Sequence, residues 1–412
     1  MRAGIGRPGW HAWLDDAFLT EDFFANPYPL YRRLLAEAPV AFSEKTQAWL
    51  VCPFQEVSAG LADARLSSGA RIPTLALAMS DQGRDRNQAV LACMARMMSF
   101  RDDPDHARLR RAVSRAFTPR RMSDLQSQVT GVVDELIAQF PASGTFDLVE
   151  SLAFPLPAMV ICRMLGMPDE MLDRVREWAD AVVTLLSSAN MSDEAADRAR
   201  IAVEDADAYI RLAIDERLRQ PNHDLLSTLA QAQQEGSLSA EEVTAMVVLL
   251  LFAGFETTEG LIGNAAGILL DDASWSARLG HEPGLVDAFV EEVLRFDPSI
   301  HRQSRIAEES VMIGGVPIDA GSTILFMIGA SGHDPARFTL PEHFDPLRAD
   351  AGNIGFGYGP HFCLGAPLAR MEARIALQAL AALPSPLRRA GPARYGSLLA
   401  VRKPTNLPVC LS

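Results

Sequence analysis

The stretch FGYGPHFCLG, residues 356–365, packs three glycines, a proline, a histidine and a cysteine into ten positions. The chain has only five cysteines (Cys52, Cys93, Cys162, Cys363 and Cys410), and most of the others sit in apolar stretches that read as helical. Cys363 is followed by Leu364, Gly365, Ala366, Pro367 and an apolar helical run, so its sulfur stands beside a helix N-terminus. Unpaired N–H groups and the positive end of the helix dipole stabilise a thiolate there. Gly357 and Gly359 let the preceding backbone, with Phe356, lie flat against a ring, and His361 can donate to an anionic group at the ring's edge. The plain alternative is a glycine turn holding a buried structural thiol. A zinc site needs more ligands than Cys363 and His361 provide. A dinucleotide loop needs a strand and a βαβ unit, which FDPLRADAGNI, residues 344–354, does not supply. A flat macrocycle with an axial thiolate fits best.

Three other constellations point outward from this one. AGFETT, residues 253–258, interrupts the apolar run VTAMVVLLLFAGF. A helix apolar on all sides is a buried helix, and Glu256, Thr257 and Thr258 inside it are costly without partners. Gly254 weakens it by about 1 kcal/mol relative to Ala. One reading is a helix bend, with Thr257 bonding back to a carbonyl and Glu256 reaching solvent. The other is a small groove beside Ala253 and Gly254 for a diatomic ligand, with Glu256 and Thr257 supplying protons. In EEVLR, Glu292 and Arg295 are three apart on one helical face, close enough to pair, though such pairs are usually surface contacts worth about 0–1 kcal/mol. In HARLRRAVSRAFTPRR, residues 106–121, His106 and Arg110 share a face as a possible anion clamp. Arg108, Arg111 and Arg115 form either a docking patch for an acidic partner or a solvated face.

Composition sets the frame. With 412 residues, 48% hydrophobic and 22% charged, the chain is long enough to bury a cofactor. Its 52 acidic against 38 basic side chains give a net charge of -14, against general nucleic-acid or anionic-membrane binding. An odd, unclustered set of cysteines favours a reducing cytoplasm over a disulfide framework. The opening MRAGIGRPGWHAWLDD lacks the apolar core of a signal peptide, and no membrane anchor is expected. Helical periodicity dominates, in PYPLYRRLLAEA (residues 27–38) and again from residue 105 to about 232. Ser239 with Glu242 forms a capping box that launches the longest helix, to about residue 271. Short strands are expected at PVAFS, at AWLVC and in SRIAEESVMIGGVPIDAGSTILFMI, whose glycines mark turns. Residues 66–101 read as a loop with broken helices. The expectation is one mainly α unit spanning 1–412 with a small β region.

Taken together and in this order, these segments resemble the cytochrome P-450 family of haem-thiolate monooxygenases in its soluble bacterial form, over nearly the whole chain. FGYGPHFCLG matches the family's haem loop in full, AGFETT its oxygen-activating helix, and EEVLR its Glu-x-x-Arg. The resemblance implies haem b (iron protoporphyrin IX) lying between the long central helix and the helix after Cys363. Cys363 would be its axial iron ligand. His106, Arg110, Arg305 and His361 would hold its propionates, with Phe356, Gly357, Ala253 and Gly254 against the ring. Glu256 and Thr257 match the acid–alcohol pair that delivers protons, and Glu292 with Arg295 a buried structural pair. Phe255 departs from the histidine of many bacterial relatives. Implied partners are dioxygen, a lipophilic small molecule, and a ferredoxin with its ferredoxin reductase passing electrons from NAD(P)H, in the cytoplasm, without nucleic acid or membrane. C–H hydroxylation in bacterial secondary metabolism is the expected activity. Epoxidation, desaturation and oxidative coupling share the machinery, and a haem sensor or carrier without turnover is the rival of another class. By analogy the substrate pocket draws on residues 66–98, where Met79, Met94, Met97 and Met98 are adaptable, on residues 178–192, on Ala253 and Phe255, on residues 297–303 including Ile300 and His301, and on the turn around Leu399. His301 and Arg302 could meet an anionic group or face solvent.

Overall fold

The helix Ala240–Asp271 organises the molecule. Both arms of its capping box form: the Ser239 hydroxyl accepts from the Glu242 amide at 3.2 Å, and the Glu242 carboxylate accepts from the Ser239 amide at 3.0 Å. It is the only helix among the described residues long and apolar enough to cross a membrane, but most of its apolar stretch is buried inside the protein. The computed structural model describes residues 11–115, 117, 119–187, 193–272, 274–282 and 284–411. Helices Pro155–Leu165, Leu172–Ser187, Asp193–Arg219 and Ala366–Ala381 pack directly on the central helix. Leu285–Phe296 packs against both the central helix and Ala366–Ala381. One large apolar cluster fills the space between these helices.

The β region lies to one side. The hairpin Val40–Ser43 with Ala48–Val51 continues parallel into Thr323–Phe326, then antiparallel through Gln303–Ala307 to the short edge strand Leu66–Ser67. In that register Arg305 sits opposite Ile324. A second apolar cluster joins the N-terminal helix Tyr28–Glu37 to this sheet. The expected strands and the helix before them are therefore present. Residues 66–101 contain three short helices, Arg71–Ala78, Asp81–Arg86 and Gln88–Met94, and a 3-10 turn at Met98–Phe100.

Candidate active site

A cavity of about 380 Å³ separates the central helix from the glycine-rich loop. Its wall takes Ala253, Gly254, Glu256 and Thr257 from one side and Phe356, His361 and Cys363 from the other. Most of the central helix is buried, yet Ala253 is exposed and Gly254 and Thr257 are half-buried. That patch is where the helix meets the cavity.

Cys363 is fixed by its loop. Its amide donates to the Phe356 carbonyl at 3.0 Å, and helix Ala366–Ala381 begins three residues on. Burial raises the thiol's pKa, while hydrogen bonds from the Gly365 and Ala366 amides and the charges of Arg110 and Arg370 pull it back. The helix N-terminus therefore favours the thiolate, as the sequence implies. The glycines act differently from expectation. Gly357 and Gly359 adopt φ of 77° and 74°, which L side chains rarely take. A Cβ on Gly359 would lie 2.9 Å from Ala62 Cα, and one on Gly357 would meet the Gln303 amide at 3.1 Å. They shape the turn and let it pack on the protein, and Gly357 is not part of the cavity wall.

A cationic rim closes one end. His106 and Arg110, one turn apart on helix Asp105–Ser114, reach the cavity together with Arg305 and His361. The His106 and His361 rings lie 4.1 Å apart, and Asp103 holds the His106 ring at 3.3 Å. Burial, then Arg305 and His106, pushes His361 down to about 3, and burial lowers Arg305 to about 10. Arg305 donates to the Ser304 carbonyl at 2.9 Å, while its Nη2 is buried without a partner. Buried cations with unmet donors need an anion.

On the central helix, Thr257 Oγ1 donates to the Ala253 carbonyl at 2.9 Å, and Thr258 Oγ1 donates to Gly254 at 3.1 Å. Glu256 is buried rather than reaching solvent. Its pKa rises to about 8, chiefly through burial, against the pull of Lys403 and with a further push from Glu259. Lys403 Nζ stands 3.7 Å from Glu256 and 2.7 Å from Glu259, and Glu256 Oε2 has no partner.

Several sequence expectations are corrected. Phe255 does not line the cavity: it is buried edge-on against Phe154, 5.7 Å between centroids, on the far face of its helix. Leu399 and His301 also lie elsewhere. His301 is locked in the N-terminal aromatic cluster, bonded to the Tyr31 hydroxyl at 2.9 Å, and Leu399 packs in the same cluster. Met94 and Met97 are core residues, whereas Met98 reaches the cavity. Ile300 does line it. Of the segment 178–192, residues 188–192 lie outside the described residues. Arg108 is bound to Glu242 at 2.5 Å and Arg115 to Glu235 at 3.3 Å, which leaves less of a free basic patch. Sequence reasoning passed over Arg71, Glu372 and Lys403. Arg71 and Glu372 are polar residues set among apolar ones, a weak signal, and only the fold brings them to the cavity.

The family model for cytochrome P-450 matches residues 281–381. The chain is 39% identical over 375 residues to the cytochrome P-450 monooxygenase PikC of Streptomyces venezuelae, covering 89% of this chain and 86% of that protein. It is 34% identical to 6-deoxyerythronolide B hydroxylase of Saccharopolyspora erythraea, covering 88% and 89% respectively. The solved structure of CalO2 superposes with a TM-score of 0.88 at 30% identity, covering 96% of this chain and 98% of that one. The residues present fit a haem: a sulfur at a helix N-terminus for the iron, apolar walls for the ring, and a cationic rim with an orphaned Arg305 donor for the propionates. With relatives this similar over most of its length, the chain belongs to the cytochrome P-450 family, and it is a haem-thiolate monooxygenase.

Proposed function

We propose that the protein inserts one oxygen atom from dioxygen into a C–H bond of a lipophilic small molecule, and that Cys363 would supply the thiolate that holds the haem iron. The observation that carries this reading is the position of Cys363 Sγ, at a helix N-terminus and in the same cavity wall as Ala253, Gly254, Glu256 and Thr257. Bound haem supplies dioxygen activation, and a thiolate ligand favours O–O cleavage. The chain's own residues do the rest. The amides of Gly365 and Ala366 donate to the sulfur and offset part of the burial that raises its pKa. His106, Arg110, Arg305 and His361, which line the cavity, would hold the haem carboxylates. Ala253 and Gly254 line the wall that faces the cysteine loop. Glu256, whose carboxyl burial pushes up to about 8, is the proton source. Thr257 has its hydroxyl proton engaged with Ala253 O, so its lone pairs remain free to accept from a water and hold it in place, and that water carries the proton.

The whole chain acts as one catalytic unit in the cytoplasm, probed by its natural-product relatives' activities: hydroxylases and a hydroxylase/epoxidase stand among them, which supports oxygen insertion. A ferredoxin and its reductase deliver electrons from NAD(P)H, and the exposed Arg111 is the contact on helix Asp105–Ser114 left unengaged by Glu242 or Glu235. Steering by charge makes the reduction rate fall steeply with added salt. The decisive test is spectroscopic. Reduced holoprotein under carbon monoxide should show the red-shifted Soret band of thiolate ligation, and Cys363→Ser should lose it. A wild-type sample without that band overturns the assignment.

A further inference from the structure

Haem accounts for only part of the positive charge in the cavity wall. Four guanidiniums line it, those of Arg71, Arg110, Arg302 and Arg305. The wall's own carboxyls, Glu256 and Glu372, are both pushed up to about 8 by burial, which favours their neutral forms, and Lys403 stands 3.7 Å from Glu256. Outside the wall, Asp102 acts on Arg305 and His361, held by Ser67 and the amides of Ser68 and Gly69. In a haem the charges of ferric iron, porphyrin and thiolate cancel, which leaves two propionates. These and Asp102 balance three guanidiniums. One is left over.

The arrangement identifies it. Arg305, His106 and Arg71 all act on His361, and Arg110 acts on His106, so these groups converge on one pole. Arg302 does not figure among the charges acting there. It stands beside Ile300, Ala400 and Val401 in an apolar part of the wall, where Ile300 and Val401 form an isolated β-bridge. Its Nε is buried without a partner. Arg71 lies between the two groups, acted on by both Arg305 and Arg302, with its guanidinium 4.5 Å over the Phe100 ring. Tyr31 is the titratable neighbour that acts on Arg302, and a guanidinium whose buried Nε meets no acceptor among the described residues is costly unless a ligand completes it. Its planar fork suits an acceptor with two coplanar oxygens.

We propose that Arg302, assisted by Arg71, is a carboxylate-recognition subsite in the substrate chamber, so that the substrate is a lipophilic molecule bearing one carboxylate. This rests on the monooxygenase reading above. The test titrates purified holoenzyme with matched carboxylic acids and their methyl esters on several chain and ring skeletons. The readout is the haem absorbance change that follows loss of iron-bound water. The best-binding acids should outbind their esters by about tenfold or more. Arg302→Gln should reduce acid affinity by a similar factor while ester affinity and haem content hold. Should Arg302→Gln fail to fold, Arg302→Lys decides by the same criterion, because it keeps the charge and loses the fork. A panel in which no acid outbinds its ester overturns the proposal, as does an acid preference that survives the substitution. A folded Arg302→Gln protein that loses haem also overturns it, by making Arg302 a propionate residue. Failure of the monooxygenase reading would show separately, as a wild-type carbon-monoxide band without the thiolate shift.

Discussion

Two buried ionic clusters flank the cysteine loop, and they differ in whether their hydrogen bonds are met. In the first, Glu292 and Arg295 pair through two bonds at 2.7 and 2.8 Å. Arg295 spends its remaining donors on the carbonyls of Gly332, Pro341 and His343, and Glu292 also accepts from Arg348 and the Asp345 amide. In the second, around the cavity, Arg302 Nε, Arg305 Nη2, Glu256 Oε2 and Glu372 Oε2 have no partner. Both clusters remove charge from water at similar cost. The complete one holds three segments of chain together. The incomplete one borders the cavity, and on the proposed reading haem, water and substrate complete it. Satisfaction of hydrogen bonds, more than burial, separates the structural pair from the working site.

Breaking the complete cluster should have the largest effect. Glu292→Ala leaves Arg295, its side chain only 1% exposed, without its carboxylate partner, and strips Arg348 of one of its two, Asp350 remaining. Loss of one partner of such a cluster costs about 3–5 kcal/mol. The variant should yield little soluble haem protein, and what survives should melt well below wild type. An unchanged melting temperature would mean that this cluster does not hold the segments together.

Breaking the incomplete cluster should spare the fold and cost chemistry. Thr257→Ala removes a hydroxyl whose only bond among the described residues is to its own helix. Haem content and melting should stay at wild-type values while product per NADPH consumed falls about a hundredfold, the scale of a lost proton donor, with peroxide in its place. Product still matching NADPH consumption would remove Thr257 from proton delivery.

The same division explains what was legible in the sequence. Ser239 and Glu242 are three residues apart and cap their helix locally, so the element could be read from its own residues. The cysteine loop was legible because its helix follows at once. The Glu292–Arg295 spacing was visible, but its burial came only from the family resemblance and not from the residues themselves, since its other partners come from residues 332–348. Arg302 and Glu372 become part of a site only when the β region and helix Ala366–Ala381 meet around one cavity. Phe255 was a misreading that helix geometry could have prevented. Ala253 and Thr257 are one turn apart and share a face, while position 255 points almost opposite.

Glu372 offers a finer test of incompleteness, through pH. Burial alone raises its carboxyl from the usual 4.5 to about 8. Below pH 4.5 the group is protonated in both folded and unfolded chains and makes no difference. Between 4.5 and 8 the unfolded chain releases the proton that the folded chain keeps, so the contribution to stability falls as pH rises through this window. Glu372→Gln removes that dependence and should gain on wild type by about 3–4 kcal/mol between pH 5 and pH 8, read as denaturant midpoints. Parallel pH profiles for the two proteins would show that a partner completes Glu372 in the holoprotein.

The smallest effect marks where the socket ends. Phe255 is one residue from Glu256, yet it packs on Phe154 in the helical core. Phe255→Leu should cost about 1–2 kcal/mol, from lost ring contact and a small void. Because the side chain stands outside the cavity wall, the affinities measured by haem absorbance should match wild type for acids and esters alike. A stability loss with unchanged binding confines the incomplete cluster to the face carrying Ala253, Gly254 and Thr257. A shift in binding without a loss of stability would extend the chamber around the helix, and Phe255 would then separate this chain's substrate range from that of relatives with histidine at the position.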